Sequence, residues 1–321
     1  MEIEDNIYGV EEIKEDVLVE LINSPSVQRL KGVSQLGMPE KYFYRKSYSR
    51  YEHSLGVLVL LRRLGANQNE QISGLLHDVS HTAFSHVIDW VLGDPTKEDY
   101  QDNNHLRIIK NSEIPSILKN YDFDYKEISN HENFPLLEKE APSLCADRID
   151  YSLRDLSQER GDLSKLFFKD LDVKENQIVF KTKNIAESFG EEYMKLQAEH
   201  WAGNQARTRY HILSEVLKKS LEKKLICLED LNKTDYYVLN ILENSRDESI
   251  LESLNLLKKG FQTCEDENGI LLKKKFRYID PEVYVNSFYR KLSELSVEYA
   301  FLINEKKEQS KLVRRVKIIP N

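Results

Sequence analysis

Residues 77–86 read His77-Asp78-Val79-Ser80-His81-Thr82-Ala83-Phe84-Ser85-His86, and they end an apolar stretch that begins near Ile72. Upstream, residues 50–53 read Arg50-Tyr51-Glu52-His53, so four of the eight histidines lie between residues 53 and 86. Imidazole and carboxylate groups donate lone pairs at neutral pH, and histidine is the commonest protein ligand of metals. The pattern predicts a divalent metal site, and the adjacent His77-Asp78 is its clearest sign.

The candidate ligands are His53, His77, Asp78 and a later aspartate, Asp147. They fall on three separate predicted helices, which can bring two nitrogen and two oxygen donors to one ion. Mixed donors of this kind suit transition metals better than calcium. We expect a divalent metal cofactor (Mn, Fe, Mg, Zn or Ni), and the sequence does not select among these ions. The chemistry indicated is hydrolysis, because a bound cation lowers the pKa of water and screens the charge of a phosphate.

Composition limits the class of protein. The chain has 321 residues, of which 40% are apolar, enough for one large domain or for a core with an appendage. Its net charge of -8 argues against bulk binding of nucleic acid, although a local basic pocket stays open. The three cysteines, Cys145, Cys227 and Cys264, form no disulfide or zinc pattern, and no apolar run reaches the roughly 20 residues of a membrane span. We expect a cytoplasmic protein that does not bind membranes.

Hydrophobic spacing predicts a mainly α fold. The segments with helical spacing are residues 15–31 (interrupted at 24–25), 53–64, 72–78, 144–156, about 185–226, and 281–303. Alternating apolar residues predict a small β-hairpin in residues 170–182. Two further elements are expected near the C-terminus: a hairpin of residues 261–264 with 270–276, and a final strand in residues 313–319.

At these motifs the chain resembles the HD-domain phosphohydrolases, and within them the dNTP triphosphohydrolases of the branch that also carries a sterile-alpha-motif domain. The matching segments are residues 5–9, 24–30, 35–37, 50–57, 77–86 and 147–155. The resemblance implies an HD-domain helical core in residues 1–230, with the hairpin, and a mixed α/β appendage in residues 231–321. That appendage would serve regulation or oligomerisation.

The resemblance also implies roles for single residues. His53, His77, Asp78 and Asp147 would bind the metal. Four residues would be catalytic. Arg50 would hold a phosphate, His81 would contact a phosphate, and His86 would protonate the leaving 5′-oxygen. The fourth is Asp102. The residues that would bind the substrate are Gln35, Leu36, Arg148, Tyr151, Asp155 and Tyr210. Some have simpler alternatives: His81 and His86 could cap or pack a helix, and Tyr151 and Asp155 could form an ordinary i,i+4 contact.

Two departures from the family pattern affect the expected function. The family commonly has a His-Glu pair where this chain has Gln101-Asp102, and His105, one helical turn away, could compensate. The guanine-reading activator site of the family uses Asp and Arg, where this chain has Asn23 and Lys31. Activation by a guanine nucleotide in the same manner is therefore not expected, although a nucleotide effector stays open.

The function implied is metal-dependent hydrolysis of deoxynucleoside triphosphates to deoxynucleoside and tripolyphosphate. Two alternatives are open. One is an HD phosphohydrolase that acts on another nucleotide ester, such as an NMP, an NTP or a cyclic nucleotide. The other is a nucleotide-binding regulatory module with weak catalysis. The expected partners are a nucleotide substrate and further copies of the chain in a dimer or tetramer.

Overall fold

The computed structural model describes residues 1–285 and 288–321. The fold is mainly helical with small sheets, as predicted. The helices are α1 (Asp16–Ile22), α2 (Pro25–Arg29), α3 (Arg50–Arg63), α4 (Gln68–Leu76), α5 (Ile88–Val91), α6 (Tyr100–Lys110), α7 (Ile114–Asn120), α8 (Tyr125–Ile128), α9 (Ala146–Asp170), α10 (Lys183–Leu196), α11 (Asn204–Glu222), α12 (Asp235–Glu243), α13 (Glu248–Lys259), α14 (Leu292–Leu295) and α15 (Val297–Lys311). None of the helices in the described ranges is long and apolar enough to cross a membrane.

The strands form three small sheets. They are β1 (Glu2–Asp5), β2 (Gly9–Glu12), β3 (Leu171–Lys174), β4 (Gln177–Phe180), β5 (Phe261–Leu271), β6 (Glu282–Val285), β7 (Phe288–Lys291) and β8 (Arg315–Pro320). The β1–β2 pair is antiparallel, the second sheet has the order β3-β4-β6-β7, and β5 pairs with β8. The hairpin predicted in residues 170–182 is the β3–β4 pair, and the predicted final strand is β8.

The predicted hairpin of residues 261–264 with 270–276 is wrong. Residues 261–271 form the single strand β5, and both of its halves pair with β8. The register shifts between Glu265 and Ile270, which both lie opposite Val316, so residues 266–269 form a bulge rather than a turn. Gly269 permits this close approach, because a Cβ atom there would lie 2.4 Å from the Val316 carbonyl oxygen.

The helix predicted over residues 281–303 is also wrong in its first part. Residues 282–285 and 288–291 are the antiparallel strands β6 and β7, and helix begins only at Leu292. Residues 286 and 287 of that prediction lie outside the described residues. Val283, which is fully buried, pairs with Phe180 of β4, so a distant strand decides the conformation of this segment.

The long helix predicted over residues 185–226 is two helices. A π-helical turn, Gln197–Trp201, separates α10 from α11. Gly203 follows this turn, and a Cβ atom there would lie 2.2 Å from the Glu199 carbonyl oxygen, so the chain can bend here. The bend matters for the site described below, because residues of the turn and of α11 line the same cavity.

Two clusters of buried apolar residues stabilise the chain. The first surrounds α3, α4 and α9, and it includes Val283, Leu292 and Tyr299 from the C-terminal part. The second packs α11 against α12 and α13. Each cluster thus contains residues from before and from after position 230. The division of the chain into two domains at this position stays a prediction.

Candidate metal centre

Three helices bring the candidate ligands together. The side chain of Ser49 accepts a hydrogen bond from Glu52 N, and the Glu52 carboxylate accepts one from Ser49 N, so a capping box begins α3 directly before Arg50 and His53. His77 ends α4, with Asp78 beside it, and Asp147 lies in the first turn of α9. Helix α9 can approach α3 because residue 56 is glycine: a Cβ atom there would clash with side chains of α9.

Three of the four predicted ligands, His53, His77 and Asp147, converge on one point, and Asp78 lies beside them. His53 Nε2 lies 2.9 Å from Asp147 Oδ1 and 3.2 Å from His77 Nε2. His77 Nε2 lies 3.5 Å from both Asp147 Oδ1 and Asp78 Oδ1, and His53 Nε2 lies 3.8 Å from Asp78 Oδ2. Imidazole nitrogens bound to one ion at about 2.0–2.1 Å lie roughly 3 Å apart, so this spacing fits a shared divalent cation.

Hydrogen bonds on the far side of each imidazole orient the ring. His53 Nδ1 donates to Asp150 Oδ2 at 2.7 Å, and His77 Nδ1 donates to the Gly74 carbonyl at 2.7 Å. In the neutral form, both rings therefore carry their proton on Nδ1 and direct the lone pair of Nε2 at the ligand cluster. Burial alone would lower the pKa of His77, but Asp78 and Asp147 raise it to about 9, so protons and a metal ion compete for the same nitrogen.

Asp150 is a supporting residue to which the sequence analysis assigned no role. Besides His53, it accepts hydrogen bonds from Tyr8 Oη at 2.8 Å and from Arg154 Nε at 2.7 Å. Arg154 in turn donates to Asp5 at 2.5 Å. The spacing of three residues from Asp147 was the available signal. The matching motif at residues 5–9 now has a structural reason, because two of its side chains support the residue that holds His53.

Asp150→Asn is expected to weaken metal affinity by about 10- to 100-fold, the usual cost of losing the partner of a metal-ligating histidine. The amide can no longer accept all three of the hydrogen bonds that the carboxylate accepts. Calorimetric titration of the metal-free protein with Mn²⁺ measures the effect. Asp162→Asn, an exposed position on the same helix, is the matched control. An affinity equal to that of this control would show that Asp150 does not orient His53.

Arg50 and His81 adjoin the ligand cluster. Arg50 is buried, and it donates to Asp78 Oδ2 at 2.7 Å and to Ser85 Oγ at 2.9 Å. His81 Nε2 lies 3.3 Å from Asp78 Oδ1. Burial and the charge of Arg50 hold the pKa of His81 well below its usual value, so this ring is neutral. His86 packs edge-on against His81 and pairs through Nδ1 with Asp89 Oδ2 at 3.2 Å.

The loop that carries His81 and His86 is held from a distant helix. Phe84 and Ser85 both have positive φ, 64° and 47°, a conformation that costs about 1–3 kcal/mol for a non-glycine residue. Asp235 of α12 accepts hydrogen bonds from Phe84 N at 2.7 Å and from Ser34 N at 2.8 Å. Burial raises the pKa of Asp235 to about 6. This buried carboxylate therefore ties the strained loop to the Ser34 backbone.

A cavity of about 560 Å³ opens beside the ligand cluster, a size typical of small-molecule sites. Every predicted site residue except His53 lines it: Gln35, Leu36, Arg50, His77, Asp78, His81, His86, Asp102, Asp147, Arg148, Tyr151, Asp155 and Tyr210. His53 lies in its wall, fully buried. The structure thus brings the predicted residues together, while their individual roles stay predictions.

Two buried acceptors in the cavity have no hydrogen-bond partner within residues 1–285 and 288–321. They are Gln35 Oε1 and Asp155 Oδ1. The other oxygen of Asp155 accepts from Trp201 Nε1 at 2.7 Å, and burial raises the pKa of this carboxyl to about 6. Unsatisfied buried acceptors are rare. Asp155 Oδ1 also lies 3.7 Å from Arg45 Nη1 in an ion pair, so Gln35 Oε1 is the clearer place for a donor from a ligand.

Two predicted residues are already engaged by the protein. Arg148 donates to the carbonyl oxygens of Ser143 at 2.6 Å and Lys139 at 3.1 Å. Its guanidinium also lies against Cys145 and Glu138, so it fills the position that a cation could take between Glu138, Cys145 and Asp147. Arg148 is thereby held at the cavity wall, and its phosphate-binding role stays a prediction.

The Gln101-Asp102 pair also has partners within the protein. Gln101 donates to Asp102 and accepts from Ser80 Oγ. His105 Nδ1 lies 3.0 Å from the same hydroxyl, so His105 reaches the position of Gln101 from the next helical turn. Burial raises the pKa of Asp102.

The HD domain matches residues 50–155 of this chain. Over 303 residues the chain is 41% identical to the uncharacterized protein YdhJ of Bacillus subtilis, and the match covers 92% of each protein. The chain belongs to the HD-domain phosphohydrolase family.

Two further relatives match in part. A metal-dependent phosphohydrolase, cns2 of Cordyceps militaris, is 44% identical over 153 residues, which are 48% of this chain and 44% of that protein. The human deoxynucleoside triphosphate triphosphohydrolase SAMHD1 is 39% identical over 102 residues, 27% of this chain and 16% of that protein.

HD-domain enzymes depend on metal ions, and the cluster of His53, His77 and Asp147 in this HD phosphohydrolase can hold one. The prediction of a divalent metal cofactor is therefore confirmed. The donor set fits the ion, because both imidazoles present Nε2 and the carboxylates of Asp78 and Asp147 flank them. The identity of the ion stays open among the transition metals and magnesium.

Proposed function

We propose that this HD phosphohydrolase hydrolyses deoxynucleoside triphosphates to deoxynucleoside and tripolyphosphate. One observation carries the proposal: the metal cluster, Arg50 and the oxygens of Gln35 and Asp155 that accept no hydrogen bond line a single cavity. A phosphate beside the cluster and a sugar hydroxyl beside those acceptors are the two ends that a nucleotide offers.

The residues around the cluster have the properties that cleavage at the α-phosphorus requires. A bound divalent ion would supply an activated water and absorb negative charge. Arg50, oriented by Asp78 and Ser85, presents its remaining N–H groups to a phosphate. His86, whose Nδ1 pairs with Asp89, is left with Nε2 to protonate the leaving 5′-oxygen. His81 is neutral, and its single N–H would donate to a phosphate oxygen in place of Asp78 Oδ1, without adding charge.

The sugar end of the cavity supports a preference for deoxyribose. Gln35 Oε1 and Asp155 Oδ1 would accept hydrogen bonds from the 3′-hydroxyl. Tyr210 Oη donates to the Leu36 carbonyl at 3.1 Å, and the Tyr210 ring lies so close to Gly37 that a Cβ atom there would be 2.7 Å from the hydroxyl oxygen. This tight wall beside the sugar site would exclude a 2′-hydroxyl by contact.

The similarity to SAMHD1 also supports the proposal, although it covers about a quarter of this chain. The alternative of another nucleotide phosphate ester has support of its own. The longer match is to cns2, which is named only as a phosphohydrolase, and Gln101 stands where the dNTP triphosphohydrolases have a histidine. A binding module with weak catalysis is the third candidate.

We also expect the protein to be cytoplasmic and to form a dimer or tetramer. Light scattering with and without nucleotide would measure the oligomeric state.

Product analysis separates these functions. The metal-loaded protein is incubated with dNTPs, NTPs, NMPs and cyclic nucleotides, and ion chromatography identifies the products. We expect tripolyphosphate from dNTPs, with a preference over NTPs of roughly 100-fold in kcat/KM, as for a pocket that rejects one added hydroxyl. Orthophosphate, or a linear nucleotide formed from a cyclic one, would support the second function. Binding without turnover under every metal would support the third.

A further inference from the structure

A second charged cluster lines the same cavity, and the proposed reaction does not use it. It consists of Glu98, Arg207, Lys275 and Arg277. Arg207 Nη1 donates to Glu98 Oε1 at 2.8 Å, and Arg277 Nη2 donates to the other oxygen of that carboxylate. These residues come from the loop before α6, from α11 and from the stretch between β5 and β6. No motif in the sequence signals the cluster, because only the tertiary fold brings these segments together.

The cluster has more hydrogen-bond donors than the protein satisfies. Arg207 is 1% exposed, yet its Nε and Nη2 atoms have no acceptor among the residues that the structure describes. One carboxylate, Glu98, serves two guanidinium groups, and Lys275 adds a third cation. Buried N–H groups without acceptors are costly, and a ligand with several anionic oxygens would supply them.

The surrounding backbone holds the cluster in place. Glu98 has a positive φ of 54°, which is unfavourable for a side chain of this kind. Gln197, the first residue of the π-helical turn, donates through Nε2 to the Lys275 carbonyl at 2.9 Å. π-helical turns occur frequently at functional sites. The stretch of residues 275–277 is thus fixed at the cavity wall by a contact to its backbone.

The cluster is separate from the cations at the metal site. Arg50 donates a hydrogen bond to Asp78, and Arg148 donates to backbone carbonyls of the loop before α9. Burial alone would raise the pKa of Glu98, but the charges of Arg277 and Arg207 hold it well below its usual value, so this carboxylate is ionised. The cluster and the metal site thus line one cavity with separate sets of cations.

We propose that Arg207, Lys275 and Arg277 form an anion subsite that binds phosphate groups of the substrate remote from the metal. The subsite would select nucleotides with several phosphates over monophosphates. The identity of the bound nucleotide as a deoxynucleoside triphosphate rests on the proposed function. The binding of polyphosphate by the subsite does not. The C-terminal part of the chain would thus complete the substrate site through Lys275 and Arg277.

The test measures binding of inorganic tripolyphosphate and of orthophosphate to the metal-loaded full-length protein by calorimetry. Arg277→Gln and Lys275→Gln are compared with Lys273→Gln, an exposed lysine of the same stretch. We expect Arg277→Gln to weaken tripolyphosphate binding by about 10- to 100-fold, the effect of losing a charge-assisted hydrogen bond, with a smaller loss for Lys275→Gln. Orthophosphate binding at the metal should stay unchanged in both. Arg207→Gln is not needed, because this fully buried side chain could be required for folding.

The outcomes are distinct. Tripolyphosphate affinities of Arg277→Gln and Lys275→Gln equal to that of Lys273→Gln would overturn the subsite and leave a purely structural ion pair. If tripolyphosphate binds as expected while no dNTP is hydrolysed, the proposed function fails and the subsite stands. If dNTPs are hydrolysed with an unchanged KM in Arg277→Gln, the proposed function stands and the subsite falls.

Discussion

Replacement of both His77 and Asp78 by alanine is expected to remove bound metal and phosphohydrolase activity together. The two side chains are two of the four predicted donors, and Asp78 also accepts a hydrogen bond from Arg50 at 2.7 Å. We expect activity to fall by more than the roughly 100-fold that loss of a supporting partner alone can cost. Metal content by mass spectrometry and turnover of the substrate found in the product analysis are the measurements.

His211→Ala is the matched control for this variant. His211 lies on α11 against Trp90 and does not line the cavity, so its loss should leave metal content unchanged. Circular dichroism of the double variant checks that the helices remain. Unaltered metal stoichiometry in the folded double variant would refute the assigned centre, and with it the proposed function.

His86→Ala is expected to keep the metal and to lose turnover by about 10²- to 10⁴-fold, the usual contribution of a general acid. His86 lines the cavity and pairs with Asp89, but among the described residues it forms no hydrogen bond or ion pair with any of the four predicted ligands. Metal content and kcat are therefore expected to separate in this variant, whereas they fall together in the double variant.

A substrate with a better leaving group gives the control for His86. A nitrophenyl phosphate ester releases an anion that needs no proton, so His86→Ala should slow its hydrolysis far less than that of a nucleotide. An equal loss on both substrates would argue that His86 positions the phosphate rather than protonating the leaving oxygen. An unchanged rate on the nucleotide would remove His86 from the mechanism.

The ligands could be predicted from the sequence because a metal requires particular residue types, and two of them, His77 and Asp78, are adjacent in the chain. Residues that support these ligands without binding the metal themselves have no such pattern in the sequence. Asp150 is one helical turn from Asp147, and Arg154 is one turn further along the same helix. The role of Asp150 also depends on Tyr8, which only the fold brings to it. Arg277 is more than a hundred residues from any ligand, and the sequence offers no reason to place it in the cavity.

The errors in secondary structure have a related cause. Residues 281–303 contain apolar residues at spacings that suit either a helix or a strand. The choice between them is made by β4, which offers Phe180 as a pairing partner for Val283. Residues 261–271 likewise take their conformation from β8, fifty residues away along the chain. Local patterns predicted the helices around the metal well, because those helices bury their own apolar faces over several turns.

Asp235 has a practical consequence for anyone shortening this protein. A fragment that stops at residue 230 would retain all four predicted ligands together with His81 and His86, but it would lose the carboxylate that restrains Phe84 and Ser34. The loop between α4 and α5 could then relax toward ordinary backbone angles and turn His81 and His86 away from their working positions. The fragment would also lack the residues after position 230 that complete both apolar clusters, so expression plasmids meant to isolate the activity should extend well beyond α12.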